Sequence, residues 1–190
     1  MKIFADEKGV RDGILSIKKY ILSFGLNNIG IIGIRRGGEY IARRVLKELE
    51  SDRHKKIPFG FVDITFWRDD LTRLGYNPKV QRTEIDFDVD GKDIILIDDV
   101  IFTGRTIRAA ISEILEFGRP NLIRLAVLVD RIGYRELPIQ PDFSVFKIET
   151  EKEQLVEVSL LEKGFDRDFI ATMKKGDEDL RCKDPSTYFP

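Results

Sequence analysis

The sequence predicts an α/β fold: a mainly parallel sheet flanked by helices on both faces. Two observations carry that expectation. Continuous apolar runs recur at Ile29–Ile34, Ile94–Ile97 and Leu122–Val129, the pattern of strands covered on both sides. Segments of helical periodicity separate these runs, so strands and helices alternate along the chain. Ligands are then expected outside the carboxyl ends of the strands.

Composition narrows the function classes. A chain of 190 residues fits one domain of ordinary size. The formal net charge of −1 gives no global basic field that would advertise nucleic acid. No stretch approaches the roughly 20 apolar residues of a membrane span, and no signal-peptide pattern opens the chain, so no membrane partner and a cytoplasmic location are expected. The single cysteine, Cys182, cannot form an internal disulfide, and the single histidine, His54, lies in a charged connection. A zinc site or a Ser/His triad is thereby excluded. Charged residues make up 34% of the chain, above the usual ~25%, which points weakly to a heat-tolerant source.

The elements follow in order. Residues 10–24 read as an amphipathic helix with Val10, Ile14, Ile17, Ile21 and Phe24 on one stripe and Gly25 as its stop. Arg11, Lys18 and Lys19 fall off the stripe and form a small basic face, first a solvated surface and second an RNA-phosphate contact. The strand Ile29–Ile34 runs into Arg35-Arg36-Gly37-Gly38 and a helix carrying Tyr40, Ile41, Val45 and Leu49. Guanidinium groups beside exposed backbone amides would complement a pyrophosphate, although Arg35 and Arg36 alone fit a surface equally well. Pro58–Trp67 reads as another strand, followed by Arg68-Asp69-Asp70 and a polar segment to about Asp90. A loop of that length is usually a lid, a binding loop or a long hairpin.

The stretch from Lys92 to Ala110, KDIILIDDVIFTGRTIRAA, organises the chain. An apolar strand leads to Asp98 and Asp99 where it should end. Thr103-Gly104-Arg105-Thr106 follows, then a helix with Ile107, Ala110, Ile111, Ile114 and Leu115 on one face, stopped at Gly118-Arg119-Pro120. The helix start favours a phosphate through free N–H groups and a dipole term of roughly 0.3–2 kcal/mol. Gly104 admits close backbone approach, and the threonine hydroxyls can donate. The carboxylates suit sugar hydroxyls or a hard cation such as Mg2+. Leu122–Val129 then ends in VDRIGYRELPI, Val129 to Ile139. Asp142–Ile148 and Gln154–Leu160 read as a hairpin-like pair at the sheet edge. Residues 1–161 are expected to form a single domain. Residues 162–190 are polar without a period and read as a C-terminal extension.

The string IILIDDVIFTGRT closely resembles the phosphoribosyl pyrophosphate (PRPP) signature of type I phosphoribosyltransferases. IGIRRGGEYIARRV resembles their pyrophosphate loop over its whole length. DITFWRDDLTR and VDRIGYRELPI are similar to stretches of the pyrimidine operon attenuation regulators, the PyrR group. The resemblance implies a type I phosphoribosyltransferase fold with a small hood of loop and edge strands. It implies PRPP binding by Asp98, Asp99, Val100, Thr103, Gly104, Arg105 and Thr106, and a pyrophosphate loop of Arg35, Arg36, Gly37 and Gly38. Arg35, Arg36, Asp98 and Asp99 would be catalytic, with Mg2+ as cofactor near Asp98 and Asp99. Arg68, Asp69 and Asp70 would belong to a flexible loop, and Phe102, Asp130 and Arg131 to the base site.

The implied reaction converts uracil and PRPP to UMP and pyrophosphate. Phe102 cannot take a proton from an incoming base, which favours the pyrimidine side. From Ser144 to Thr150, where the PyrR group carries a GKNIPT-like stretch, this chain reads SVFKIET. Another base, or a nucleotide-sensing regulator that binds an mRNA leader without useful catalysis, therefore stays open beside the uracil reading. Relatives of this type are commonly dimers or tetramers, so a homo-oligomer is expected.

Overall fold

A computed structural model describes residues 2–53, 56–64, 82–151 and 153–174. The segment expected as a flexible loop, with Arg68, Asp69 and Asp70, lies outside the described residues, as do His54 and Cys182.

The described strands form two sheets. The larger has the order β4-β3-β2-β5-β6-β7, built from β2 (Ile29–Ile34), β3 (Phe59–Val62), β4 (Glu84–Ile85), β5 (Asp93–Ile101), β6 (Leu122–Ile132) and β7 (Phe143–Glu149). Its pairings are parallel except for the short edge strand β4. Alternation along β2 and β5 assigns the two faces. Ile31, Ile95 and Ile97 pack with Ile14, Ile17 and Ile21 of α1 (Glu7–Leu22) and Ile41, Val45 and Leu49 of α2 (Gly38–Arg53). Ile32, Ile34, Ile94 and Leu96 pack on the opposite face with Ile107, Ala110 and Ile114 of α3 (Arg105–Leu115). Helices thus cover both faces, as the continuous apolar strands require.

Four sequence expectations are corrected. The first helix starts at Glu7, because the Asp6 side chain accepts the Gly9 N–H at 2.9 Å and caps it three residues before the apolar stripe begins. The helix ends at Leu22, which leaves Phe24 exposed, edge-on to Tyr20 and under the Arg124 guanidinium. Asp98 and Asp99 do not follow the strand; they lie within β5, which stays paired to β6 as far as Ile101 opposite Asp130. Finally, Asp142–Ile148 and Gln154–Leu160 are no hairpin. β7 runs parallel to β6, whereas β8 (Gln154–Ser159) joins a second sheet of order β1-β9-β8.

That second sheet is antiparallel, and its middle strand comes from the stretch that carries no period. β9 (Phe169–Lys174) pairs with β8 on one side and with β1 (Lys2–Ala5) on the other. Val158, Leu160 and Ile170 join the core under α1 and α2, which explains why the chain leaves the main sheet after β7.

Ionic contacts pin the small sheet to α2. Arg44 bonds both Glu162 and Asp168, and Asp168 also accepts the Leu161 N–H at 2.9 Å. The bond from Arg44 holds Glu162 below the usual carboxylate range; burial alone would raise Asp168, but the bonds and charge of Arg44 together with the Leu161 N–H lower it. Depressed folded values mean that this stability is present above the unfolded carboxylate range and is lost as pH falls through the folded values. Arg44→Met is expected to cost about 2 kcal/mol in urea unfolding at neutral pH and to flatten the acid limb of the stability profile below about pH 4.

Candidate active site

The site is built where β2 and β5 lie side by side, paired from Ile29 opposite Asp93 to Gly33 opposite Ile97. Just beyond that register β5 carries its two carboxylates. Asp98 is buried, 4% exposed, and its Oδ1 accepts the Asp99 N–H at 3.0 Å. Asp99 Oδ1 accepts the Val100 N–H at 2.8 Å, and its Oδ2 accepts a hydrogen bond from Lys163 Nζ at 2.9 Å. Burial, then the neighbouring charge of Asp99, pushes the Asp98 carboxyl well above the ordinary carboxylate range. Burial alone would lower the Lys163 ammonium, but the charge of Asp99 and its hydrogen bond outweigh it and raise it.

The loop leaving β2 closes directly on this pair. A Cβ on Gly37 would stand 2.0 Å from Asp99 Oδ2, and one on Gly38 would stand 2.3 Å from the Ile97 carbonyl oxygen and 2.7 Å from the Asp98 Cα. Only glycine lets the Arg35–Gly38 turn and the carboxylate strand touch. The two arginines differ in setting. Arg35 turns under the loop, bonding Glu39 at 3.1 Å, Glu84 at 2.8 Å and the Arg82 carbonyl at 3.0 Å, with its guanidinium over the Phe61 ring. Arg36 is exposed and adopts a left-handed backbone, φ 80°. Such a conformation is strained for a side chain with a Cβ and is characteristic of functional turns.

The second loop, Phe102–Gly104, leads into α3. Gly104, at φ 91°, is the N-cap and offers no side chain to the first helical turn. Apart from the Arg105 N–H, the N–H groups of that turn are thus open to an anion. Thr103 Oγ1 accepts the Arg105 N–H at 3.4 Å, its carbonyl takes the N–H groups of Glu136 and Leu137, and Thr106 is exposed. Arg105 pairs with Glu136 at 2.7 Å. The Arg135–Ile139 segment therefore folds over the TGRT turn.

Next to it lies a cationic and aromatic group. The Arg131 guanidinium sits 3.8 Å from the Phe102 ring centroid, with Tyr134 5.8 Å from Phe102 in an edge arrangement. Arg131 is itself held by the Thr150 hydroxyl at 2.7 Å and the Glu151 carbonyl at 3.1 Å, and its burial lowers the pKa. Asp130 is bonded by Arg135 at 2.6 Å, and Arg135 also bonds the Phe102 carbonyl. Phe102, Asp130 and Arg131 are thus brought together. Arg135 and Lys163 join the site although the sequence assigns neither a role. Arg135 stands inside a quoted motif, whereas Lys163 follows the last periodic strand and carries no local signal.

Could the carboxylates hold Mg2+? Among the described residues no group of three or more His, Cys, Asp or Glu side chains forms a metal cage. Two carboxylates, one bonded by an ammonium, fit a hard cation only if it brings most of its oxygens from a phosphorylated substrate and water.

Comparison with known proteins follows this geometry. Residues 3–163 match the phosphoribosyl transferase domain family. The chain is 41% identical over 181 residues to the bifunctional protein PyrR of Caldicellulosiruptor bescii, covering 94% of this chain and 98% of that protein. The protein of the same name from Desulfosudis oleivorans is 43% identical over 159 residues, covering 83% and 88%. Among solved structures, the hypoxanthine phosphoribosyltransferase of Staphylococcus aureus superposes with a TM-score of 0.68 at 15% identity, covering 93% of this chain and 94% of that one. That likeness concerns the fold alone.

Proposed function

The chain belongs to the phosphoribosyl transferase domain family, and on that premise we propose that it transfers the phosphoribosyl group of PRPP to uracil, giving UMP and pyrophosphate. One observation carries the reading: two glycine-bearing loops, one with Arg36 and one at the start of α3, flank a carboxylate pair, and Gly37 and Gly38 hold one loop against that pair. The amides of the first turn of α3 and the hydroxyls of Thr103 and Thr106 would take the 5′-phosphate. Asp98 and Asp99 would take the ribose hydroxyls, and Arg36 with the amides of Gly37 and Gly38 the pyrophosphate.

In the reaction a ring nitrogen of the base bonds to C1 of the ribose. The C1–oxygen bond breaks, its electron pair leaves with pyrophosphate, and the base N–H proton passes to solvent water or to a pyrophosphate oxygen. Positive charge builds on the ribose ring before the new bond is complete, so fixed negative charge at Asp98 and Asp99 stabilises the transition state. Mg2+, when present, would neutralise the leaving pyrophosphate. Phe102 offers an apolar face to a planar base beside the Arg131 guanidinium. Arg35 acts as a positioning residue, because its contacts are to the protein.

Two measurements follow. Labelled uracil is expected to appear in UMP only with PRPP and Mg2+; PRPP binding without turnover on any base would remove the catalytic reading. Arg36→Ala is expected to weaken PRPP binding by about 30-fold, ~2 kcal/mol, with the KM for uracil little changed.

The relatives' name, bifunctional protein PyrR, favours a second activity. A regulatory role on an mRNA leader would show as a gel shift that strengthens with UMP and weakens with salt. The exposed Arg11 and Lys19 of α1 are the side chains to replace first. Assembly as a homodimer or tetramer in the cytoplasm is consistent with this reading, and light scattering tests the assembly.

A further inference from the structure

The turn that follows β8 carries a side chain into the candidate site. Lys163 ends the 3-10 turn Leu161–Lys163, and its side chain is 14% exposed. Its ammonium bonds Asp99 Oδ2 at 2.9 Å and the Val158 carbonyl at 2.8 Å. The turn is braced on both sides, by Arg44 gripping Glu162 and Asp168 and by the Leu161 N–H on Asp168. Glu157, on β8, adds a further negative charge near the ammonium. Lys163 is therefore aimed, and not a long side chain that strays across the site.

We propose that Lys163 is a positioning residue of the carboxylate pair: it acts as the pair's resident counter-cation and keeps a free divalent ion off Asp98 and Asp99 until a phosphorylated substrate brings one. The inference deepens the ribose-binding reading and rests on it. Two adjacent carboxylates alone would attract any hard cation. With the ammonium bonded to Asp99 Oδ2 and the Val100 N–H on Oδ1, each oxygen of Asp99 already holds one hydrogen bond, and the ammonium stands where an ion would approach Oδ2. Asp99 Oδ2 is also the atom that a Cβ at position 37 would strike, so Lys163 clamps the carboxylate directly against the turn that follows β2. An ion arriving alone would have to displace a buried ammonium, leaving that charge without its partner. An ion arriving with pyrophosphate brings its own oxygens and need not.

The test is calorimetric titration of MgCl2 into the full-length protein without nucleotide, with UMP titrated separately into the same samples. The wild type is expected to show no saturable Mg2+ binding. Lys163→Met is expected to gain a single saturable site, tighter by at least about 10-fold than any wild-type response. Lys163→Arg, which keeps the charge, is expected to behave as the wild type. Saturable Mg2+ binding by the wild type would overturn the proposal, as would a folded Lys163→Met protein that ignores Mg2+ like the wild type. Should Lys163→Met fail to fold, Lys163→Gln carries the same expectation. Loss of UMP binding in every sample would remove the ribose reading instead, while the Mg2+ titrations would still decide the role of Lys163.

Discussion

Gly38→Ala is expected to destabilise the protein by about 3 kcal/mol and to weaken PRPP binding more than about 100-fold, ~2.7 kcal/mol. The added methyl would meet the Ile97 carbonyl oxygen at 2.3 Å and the Asp98 Cα at 2.7 Å, both backbone atoms of the central strand. Neither can swing away as a side-chain tip would. The start of α2 must lift from β5, and the Arg35–Gly38 turn then loses its registry with the carboxylates. Urea unfolding and PRPP titration of the variant check both halves. Gly37→Ala differs in kind, because its methyl would strike the Asp99 carboxylate, so it should impair binding more than folding.

Asp98→Asn should separate activity from stability in opposite directions. The amide keeps the shape of the side chain and its oxygen can still accept the Asp99 N–H, but it loses the charge that a cationic transition state needs. A fall in kcat/KM of at least about 100-fold is expected. The unfolding midpoint at neutral pH should rise. Burial beside Asp99 raises the Asp98 carboxyl above its unfolded value, so the folded protein binds that proton more tightly than the unfolded chain. Stability from this group is therefore greatest at low pH and declines as pH rises from the unfolded carboxylate value toward the folded one. The variant should lack that decline. Thermal unfolding across pH, with steady-state kinetics at neutral pH, reads both effects. A site that sacrifices stability for function behaves in this way.

Much of this organisation was legible in the chain, for a physical reason. Strands covered on two faces must be continuously apolar, and the runs at Ile29–Ile34 and Ile94–Ile97 mark where the sheet is. Glycine-bearing turns follow the same runs, at Arg35–Gly38 and Phe102–Gly104, and mark where the strands open toward the carboxylate pair. Four features were not legible. The cap at Asp6 lies outside the apolar stripe, so periodicity placed the helix start late. β9 has buried residues at Ile170, Ala171, Thr172 and Met173, and so shows none of the alternation by which a half-exposed strand is recognised. Lys163 stands 64 positions from Asp99, and only the folding of the small sheet against α2 brings them together. The division of labour between Arg35 and Arg36 was equally hidden, because Glu39, Phe61 and Glu84 reach Arg35 from separate elements.

The most direct test of the central claim is calorimetric titration of PRPP with Mg2+, followed by competition with UMP and GMP. Two phosphate loops flanking one ribose site predict saturable PRPP binding that UMP displaces and GMP does not. Absence of PRPP binding by the folded protein would contradict the account, since neither loop would then hold the group its geometry suits.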